Sequence, residues 1–393
     1  MNLTIRQEQG LKIAVERFLN REKYTVIGGY AGSGKSTLVK FIIAALEPYG
    51  IDPEDDVCYA TFTGKASQVL LKKGNKNVST LHKLLYKHIP TADGRFIRQP
   101  KPEIEYKVVV VDEVSMAPKE MMELLFRHRV YVICRGDPFQ LPPIDKNIDN
   151  HLLDNPHIFL DEIMRQAQES EIIRLSMDIR EQKSIEYMKG SEAIICPKGD
   201  LNTGMLTWAD QILVGTNQTR VNINNQMRTL MGRGNKPETG DKVICLRNYW
   251  DIISDGFNPL VNGTIGYIQN PVAGEVYIPY YLGGGSFEVL NTEFISDSDD
   301  SFGILNMDNK MILTGEKGID YKQAFKLSKN PKFKDQLPLE FTYGYAITTH
   351  KAQGSEWDKV LILEERFPFD KVEHARWLYT AVTRAAEKVV LVR

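Results

Sequence analysis

Tyr24-Thr-Val-Ile-Gly-Gly29-Tyr-Ala-Gly-Ser-Gly34-Lys35-Ser36 is the stretch that decides the fold, and it runs straight into residues 36–46, STLVKFIIAAL. Residues 24–28 read as a short buried strand, the glycine-rich part as a turn, and the remainder as a helix by its apolar spacing. A strand, then a glycine-rich turn whose Gly-Lys-Ser opens a helix, make a P-loop. Backbone N–H groups of such a loop point inward and the helix N-terminus adds a positive field, so phosphates are held without a large side-chain cage. The expected cradle is Gly29, Gly32, Ser33, Gly34, Lys35, Ser36 and Thr37. Lys35 would reach the β- and γ-phosphates of ATP, and the Ser36 hydroxyl would sit on Mg²⁺. The bland alternative is a plain glycine-rich turn.

Outward from this motif the chain alternates strand-like and helix-like patterns. Residues 9–19 carry helical spacing, while 57–62, 108–111 and 130–134 are short apolar runs suited to a parallel sheet covered on both faces. That rhythm predicts a doubly wound α/β domain. The run Val108-Val-Val-Val111 ends in Asp112-Glu113. At a strand tip, Asp112 can hold Mg²⁺ through water and Glu113 can polarise the attacking water. After the strand YVIC comes Gly136-Asp137-Pro138-Phe139-Gln140-Leu141-Pro142-Pro143. The Gln140 amide could touch both a γ-phosphate and that water; alone, the string would read as a proline-rich surface loop.

Between residues 86 and 105 the pattern lapses into a proline- and charge-rich segment with Asp93-Gly94 placed for a tight hairpin turn. A second region begins near residue 148, with an amphipathic helix over 171–181, a strand over 211–214 and a basic, Asn-rich helix over 219–231. Residues 242–295 are β-rich, with the turn Asn262-Gly263, and predict a small inserted barrel. Its aromatics Trp250, Tyr277, Tyr280 and Tyr281 read more readily as barrel core than as base-stacking platforms. Residues 296–336 are polar and poorly periodic, and the α/β rhythm resumes at Phe341.

Composition limits the function classes. Lys and Arg total 49 against 51 Asp and Glu, for a formal net charge of -2. Overall charge therefore gives no sign of a polyanionic partner; any such grip needs its cations gathered in one groove. Cys58, Cys134, Cys196 and Cys245 lack the close spacing of a zinc site or disulfide framework, which suits a reducing cytosol. The first ten residues show no basic-then-apolar signal pattern, and no uncharged apolar run is long enough to span a bilayer. A soluble, cytoplasmic protein with no membrane partner is the expectation.

The string GDPFQLPP beside DEVSM closely resembles motifs III and II of superfamily 1 helicases, especially the RecD and Dda group, superfamily 1B. The rest of that pattern follows in order. Leu3-Thr4-Ile-Arg-Gln7 resembles the segment whose glutamine reads the adenine edge, with Gln9 a less favoured substitute. Residues 60–66, ATFTGKA, resemble motif Ia, and Ser79-Thr80-Leu81-His82 resembles motif Ib. Arg165 matches the motif IV arginine, residues 345–356 match motif V, and residues 378–385 match motif VI with Arg384. The resemblance implies that Arg165 and Arg384 neutralise γ-phosphate charge as the cleft closes. It also implies that Thr63, Lys65, Thr80, His82, Thr349, His350 and Lys351 grip a nucleic-acid backbone. Asn217 and Arg220 are weaker strand candidates, and His82 and His350 could instead be core histidines.

The expected fold class is therefore α/β, with two RecA-like P-loop domains, a small β-hairpin inserted in the first and an SH3-like β-barrel inserted in the second. The expected boundaries are 1–85 and 107–147 for the first RecA-like domain, with 86–106 as its hairpin or pin and Phe96 at the tip. Residues 148–241 and 337–393 form the second, with 242–336 as the SH3-like insertion. The resemblance implies an ATP- and Mg²⁺-dependent 5′→3′ DNA helicase. Its partners would be single-stranded and duplex DNA, with replication or recombination proteins as further candidates, and the motor would be monomeric. Backbone-gripping residues do not by themselves announce the sugar, so an RNA helicase is the same-class alternative. A nucleotide-dependent switch or scaffold is the alternative from another class.

Overall fold

A computed structural model describes residues 3–90, 96–142, 149–164, 168–330, 333 and 336–393. Contacts divide the chain into two units: Met1–His88, Gln99–Gly215 and Thr348–Arg393 form the first, and Ile89–Arg98 with Thr216–Ile347 form the second.

In the first unit, helix α1 (Ile5–Leu19) starts earlier than its apolar spacing suggests, because Thr4 and Gln7 make a capping box. The Gln7 N–H donates to the Thr4 hydroxyl at 3.3 Å, and the Thr4 N–H donates to the Gln7 side-chain oxygen at 3.0 Å. Strands β1 (Tyr24–Gly29), β2 (Val57–Thr61), β3 (Val78–Thr80), β4 (Val108–Val111), β5 (Tyr131–Gly136) and β6 (Ile158–Leu160) form one parallel sheet in the order β3-β2-β4-β5-β1-β6. Their apolar runs are continuous because both faces are covered. Val108, Val110 and Ile133 face α1 and α2 (Lys35–Leu46). Val109, Val111 and Cys134 face α4 (Leu81–Leu85) and α5 (Lys119–Leu125), while α3 (Gly64–Lys72) follows β2.

Strand β6 corrects the expected boundary at 147, since Ile158–Leu160 pairs with β1 and belongs to the first sheet. Three residues with Phe159 at 37% exposure give too little apolar pattern to read as a sheet strand.

The same unit holds a second parallel set, β7 (Ala193–Cys196), β8 (Gln211–Val214), β9 (Trp357–Leu363) and β10 (Ala385–Val392), in the order β8-β9-β10-β7. Helix α6 (Glu171–Arg180) packs against α7 (Lys371–Val382), whose Trp377, Leu378 and Tyr379 are buried.

The second unit contains the helix Asn217–Leu230 and an antiparallel sheet ordered Ser301–Asp308, Ser286–Ser296, Ile265–Tyr277, Lys242–Cys245, Phe341–Tyr343. Phe341–Tyr343 thus closes this sheet and does not restart the α/β rhythm. Residues 296–336, which look aperiodic, hold the strand Ser301–Asp308 and two short helices, Asn309–Thr314 and Tyr321–Ser328, N-capped by Asp308 and Asp320. The expectation that the tyrosines fill a barrel core is wrong: Tyr277, Tyr280 and Tyr281 are 72%, 95% and 75% exposed. The far end of the Ile265–Tyr277 strand has only partly buried or exposed residues on both faces, so alternation there does not mark an interior. The side chain of Trp250 lies outside the described residues.

Tyr86–Pro90 and Phe96–Pro100 form a two-stranded ribbon where the hairpin is expected. Its turn, Asp93-Gly94, and the side chain of Phe96 lie outside the described residues.

Candidate nucleotide cleft

Every part of this cleft lies in the first unit. The P-loop joins β1 to α2 with Gly32 at φ +74° and Gly34 at φ +80°, a region open to glycine and strained for other residues. A Cβ on Gly34 would fall 2.4 Å from Gln7 Nε2. That nitrogen donates to the Gly34 carbonyl at 3.4 Å, so Gln7 caps α1 and braces the P-loop together. Beside it, Met164 N–H donates to the Gly32 carbonyl at 3.0 Å, and the Tyr30 N–H to the Leu160 carbonyl at 3.4 Å. Arg165, the next residue in the chain, lies outside the described residues.

The Lys35 ammonium donates to the carbonyls of Gly29 at 2.6 Å and Tyr30 at 2.8 Å. Burial pulls its pKa below the usual lysine value, against the opposing pull of Asp137 and Glu113. Ser33 donates to the Tyr30 carbonyl at 2.8 Å, and Thr37 sits half-buried in the first turn of α2.

Asp112 and Glu113 follow β4, and Glu113 takes φ +48°, a left-handed conformation that is strained for a residue other than glycine. Burial pushes the Glu113 pKa up, with Arg384 opposing. Arg384, 4% exposed, follows α7 and reaches Glu113 at 3.9 Å. It donates to the carbonyls of Thr380 and Ser355 at 3.1 and 3.2 Å and to the Thr383 hydroxyl at 3.2 Å.

The Asp137–Leu141 loop is tied down by the C-terminal part of the chain. Tyr379 donates to Asp137 at 2.5 Å and accepts from the Ala31 N–H of the P-loop at 2.8 Å. Arg376 donates to the Pro138 carbonyl at 2.6 Å, and the Leu141 N–H donates to the Thr380 hydroxyl at 2.9 Å. Gln353 donates to the Leu141 carbonyl. Gln140 is thereby held nearly buried, at 9% exposure. Together Lys35, Ser36, Asp112, Glu113, Gln140 and Arg384 line one cavity of about 260 Å³.

Arg135 also lines this cavity, and it has no place in the site read from the sequence. Its Nε and Nη2 each donate to Asp112 at 2.6 Å, and its Nη1 donates to Ser36 Oγ at 2.5 Å. Burial raises the Asp112 pKa, but the guanidinium more than reverses this and holds it below the usual aspartate value. Strand alternation could have found the residue. Tyr131 and Ile133 face α2, so Arg135 does too, as Asp112 follows Val108 and Val110. Tyr379 and Arg376 were also missed, because their partners stand more than 200 positions away.

Mg²⁺ takes oxygen donors and keeps several waters of its own. The Ser36 hydroxyl and Asp112 carboxylate fit that need, since both already bond one cation, the Arg135 guanidinium.

The strand-gripping candidates divide by burial. Thr63 N-caps α3 from a half-buried position, and Thr80 N-caps α4. Asn217 is exposed, while His350 and Lys351 are half-buried. Four expectations need correction, and the first is Thr80, only 5% exposed. His82 is 1% exposed between the rings of Phe62 and Tyr86, and Thr349 is fully buried. Arg220, 7% exposed, bonds the Thr342 hydroxyl at 2.5 Å inside the second unit. Each is held in the interior and offers no surface to a strand in this conformation. The side chain of Lys65 lies outside the described residues.

Residues 5–195 match the family model of an AAA domain, and residues 343–392 that of a UvrD-like helicase C-terminal domain. The ATP-dependent RecD2 DNA helicase of Deinococcus radiodurans is 27% identical over 379 residues, covering 93% of this chain and 46% of its own length. The ATP-dependent DNA helicase dda of Enterobacteria phage T4 is 29% identical over 150 residues, covering 37% of this chain and 34% of its own. A crystal structure of Bacteroides Pif1 bound to ssDNA is 18% identical with a TM-score of 0.46, over 100% of this chain and 92% of that one, a likeness too slight to carry a functional argument. The chain spans less than half the length of these two curated relatives. A P-loop ATPase half joined to a helicase C-terminal half is the class that the cleft and the family matches define. Within it, the chain is similar to the helicases of superfamily 1B, the RecD and Dda group.

Proposed function

We propose that the chain is an ATP-driven motor that moves 5′→3′ along single-stranded DNA and unwinds duplex ahead of it. The observation that carries this reading is the meeting of Glu113 with Arg384 at 3.9 Å in the cavity that also holds Lys35, Ser36 and Asp112. A charge from the C-terminal motif thereby stands at the hydrolytic centre of the P-loop half. Lys35 and the P-loop amides would hold the phosphates, Glu113 would orient the attacking water, and Gln140 would sense the γ-phosphate. Arg384, with Arg165 as its partner, would neutralise charge in the transition state, a contribution of about 10³ to 10⁵ in rate. Mg²⁺, held by Ser36 and Asp112, would supply Lewis-acid charge to the phosphates.

Nucleotide-dependent closure then changes the grip on a strand. Thr63, Lys65, His350 and Lys351 are the backbone contacts this reading retains, with Asn217 and Phe96 as outlying candidates. Two RecA-like domains, a pin over 86–106 and an SH3-like insertion over 242–336 are the arrangement proposed for the motor. It acts as a soluble cytoplasmic monomer, which its four buried free thiols suit; among the described residues no helix is long and apolar enough to cross a membrane. Labelled duplexes with a 5′ or a 3′ single-stranded tail test the direction, and matched RNA tails test the sugar. Opening only the 5′-tailed DNA is expected; opening only the 3′-tailed duplex would overturn the polarity and leave the motor standing.

A further inference from the structure

Hydrolysis as proposed gives Arg135 no task, yet its guanidinium makes three short side-chain bonds in a position 7% exposed to solvent. Its partners are telling. Two donors engage both oxygens of Asp112 side-on, and a third engages Ser36 Oγ. These are the two groups that would hold the metal, so one fixed cation of the chain already bonds both. A bare divalent ion entering this seat would have to take Asp112 from the arginine, leaving a buried guanidinium without its counter-charge, which is strongly unfavourable. Metal arriving with a nucleotide changes the balance, because phosphate oxygens offer the displaced guanidinium a new planar anionic partner.

We infer that Arg135 is an internal counter-cation that closes the metal seat to free divalent ions and turns to the nucleotide's phosphate oxygens when metal and nucleotide enter together. Metal and nucleotide binding are thereby coupled through one side chain. Strand β5 makes this possible: Val111 pairs with Cys134, so Asp112, just past the end of β4, and Arg135, within β5, stand at the same level on adjacent strands. Gly28 pairs with Gly136 on the other side of β5, which brings the P-loop, and with it Ser36, to that level too.

The nucleotide half of the inference rests on the proposed ATP cleft; the metal half does not. Mn²⁺ is the probe, counted by its paramagnetic resonance signal with the full chain free of nucleotide. Wild type is expected to bind Mn²⁺ weakly, and Arg135→Gln to bind it about tenfold more tightly or better. Adding Asp112→Asn to that variant should abolish the gain. Mn²⁺ alone should also raise the melting temperature of Arg135→Gln and leave that of wild type unchanged. Should Arg135→Gln not fold, Arg135→Met takes its place in the same nucleotide-free Mn²⁺ comparison with wild type, with the same gain expected. Wild type that binds Mn²⁺ as tightly without nucleotide as with it, or as tightly as Arg135→Gln, overturns the inference. Failure to bind a fluorescent ATP analogue at all would instead sink the ATP cleft, and the nucleotide-free comparison would still stand.

Discussion

Side chains that arrive at the cleft from distant parts of the chain carry the sharpest consequences. Lys35 stabilises charge and fills no core, so Lys35→Ala should fold as the parent does; Arg384 is buried and holds the Thr380 and Ser355 carbonyls, so Arg384→Ala should fold with reduced stability. Lys35→Ala should lose hydrolysis, and Arg384→Ala should fall by about 10³ or more in turnover while still binding ATP. Parental turnover in Arg384→Ala removes the finger assignment. Tyr379 is 1% exposed and bonds both Asp137 and the Ala31 amide. Tyr379→Phe keeps the ring against Phe139, 5.1 Å away, but strips both bonds, and should cost about 1 to 3 kcal/mol in urea unfolding. An unchanged unfolding midpoint would show that water satisfies both groups. The motif strings single out Lys35, Asp112, Glu113 and Arg384, and the structure brings all four to one cavity. Arg135 is a lone cation after an apolar strand, and only its phase against Ile133 tells which face it takes. Tyr379 stood inside a recognised motif, yet nothing in the string says that its hydroxyl reaches the P-loop 348 positions away.

Among elements, α7 and the end of β9 meet through a titratable pair. His374 Nε2 lies 3.0 Å from the Glu364 carboxylate, and Arg393 reaches the same carboxylate at 3.0 Å. The bond to Glu364 raises the His374 pKa above its ordinary value, against burial and the Arg393 charge, with the Phe367 backbone adding to the rise. A raised folded-state pKa stabilises fully below the unfolded value of about 6.5 and is lost as pH climbs through the folded value. The melting-temperature gap between wild type and His374→Gln should therefore be widest near pH 6 or below and narrow as pH rises. A gap that widens with pH would reverse the assignment. The apolar runs 108–111 in β4 and 131–134 in β5 were readable because burial on both faces leaves only apolar and aromatic side chains there. Strand β6 was not, since three residues give no period, and Ser301–Asp308 was not, since its burial does not alternate and its exposed residues are the neighbours Gly303 and Ile304. The antiparallel closing strand Phe341–Tyr343 looks like any buried run; only its partner, Lys242–Cys245, fixes its sheet.

For the whole molecule the central claim is that nucleotide chemistry and a nucleic-acid track are coupled. Its physical basis is that the cleft is assembled from both ends of the chain: the Tyr379 hydroxyl and the Arg384 guanidinium meet groups of the P-loop half in one cavity. A track that shifts the pose of motif V, at Gly354 and Ser355, shifts the lining of that cavity directly, since both residues border it. The net charge of -2 says nothing about such a track, and the exposed tyrosines of the second unit show how little composition tells about where a surface lies. One measurement bears on the claim most directly: steady-state ATP hydrolysis by the full chain with and without a single-stranded DNA oligonucleotide of mixed sequence, at low salt. A slow basal rate that rises severalfold or more with DNA, and falls back as added salt strips the strand away, is the predicted result. Hydrolysis at the same rate with and without DNA would contradict the motor.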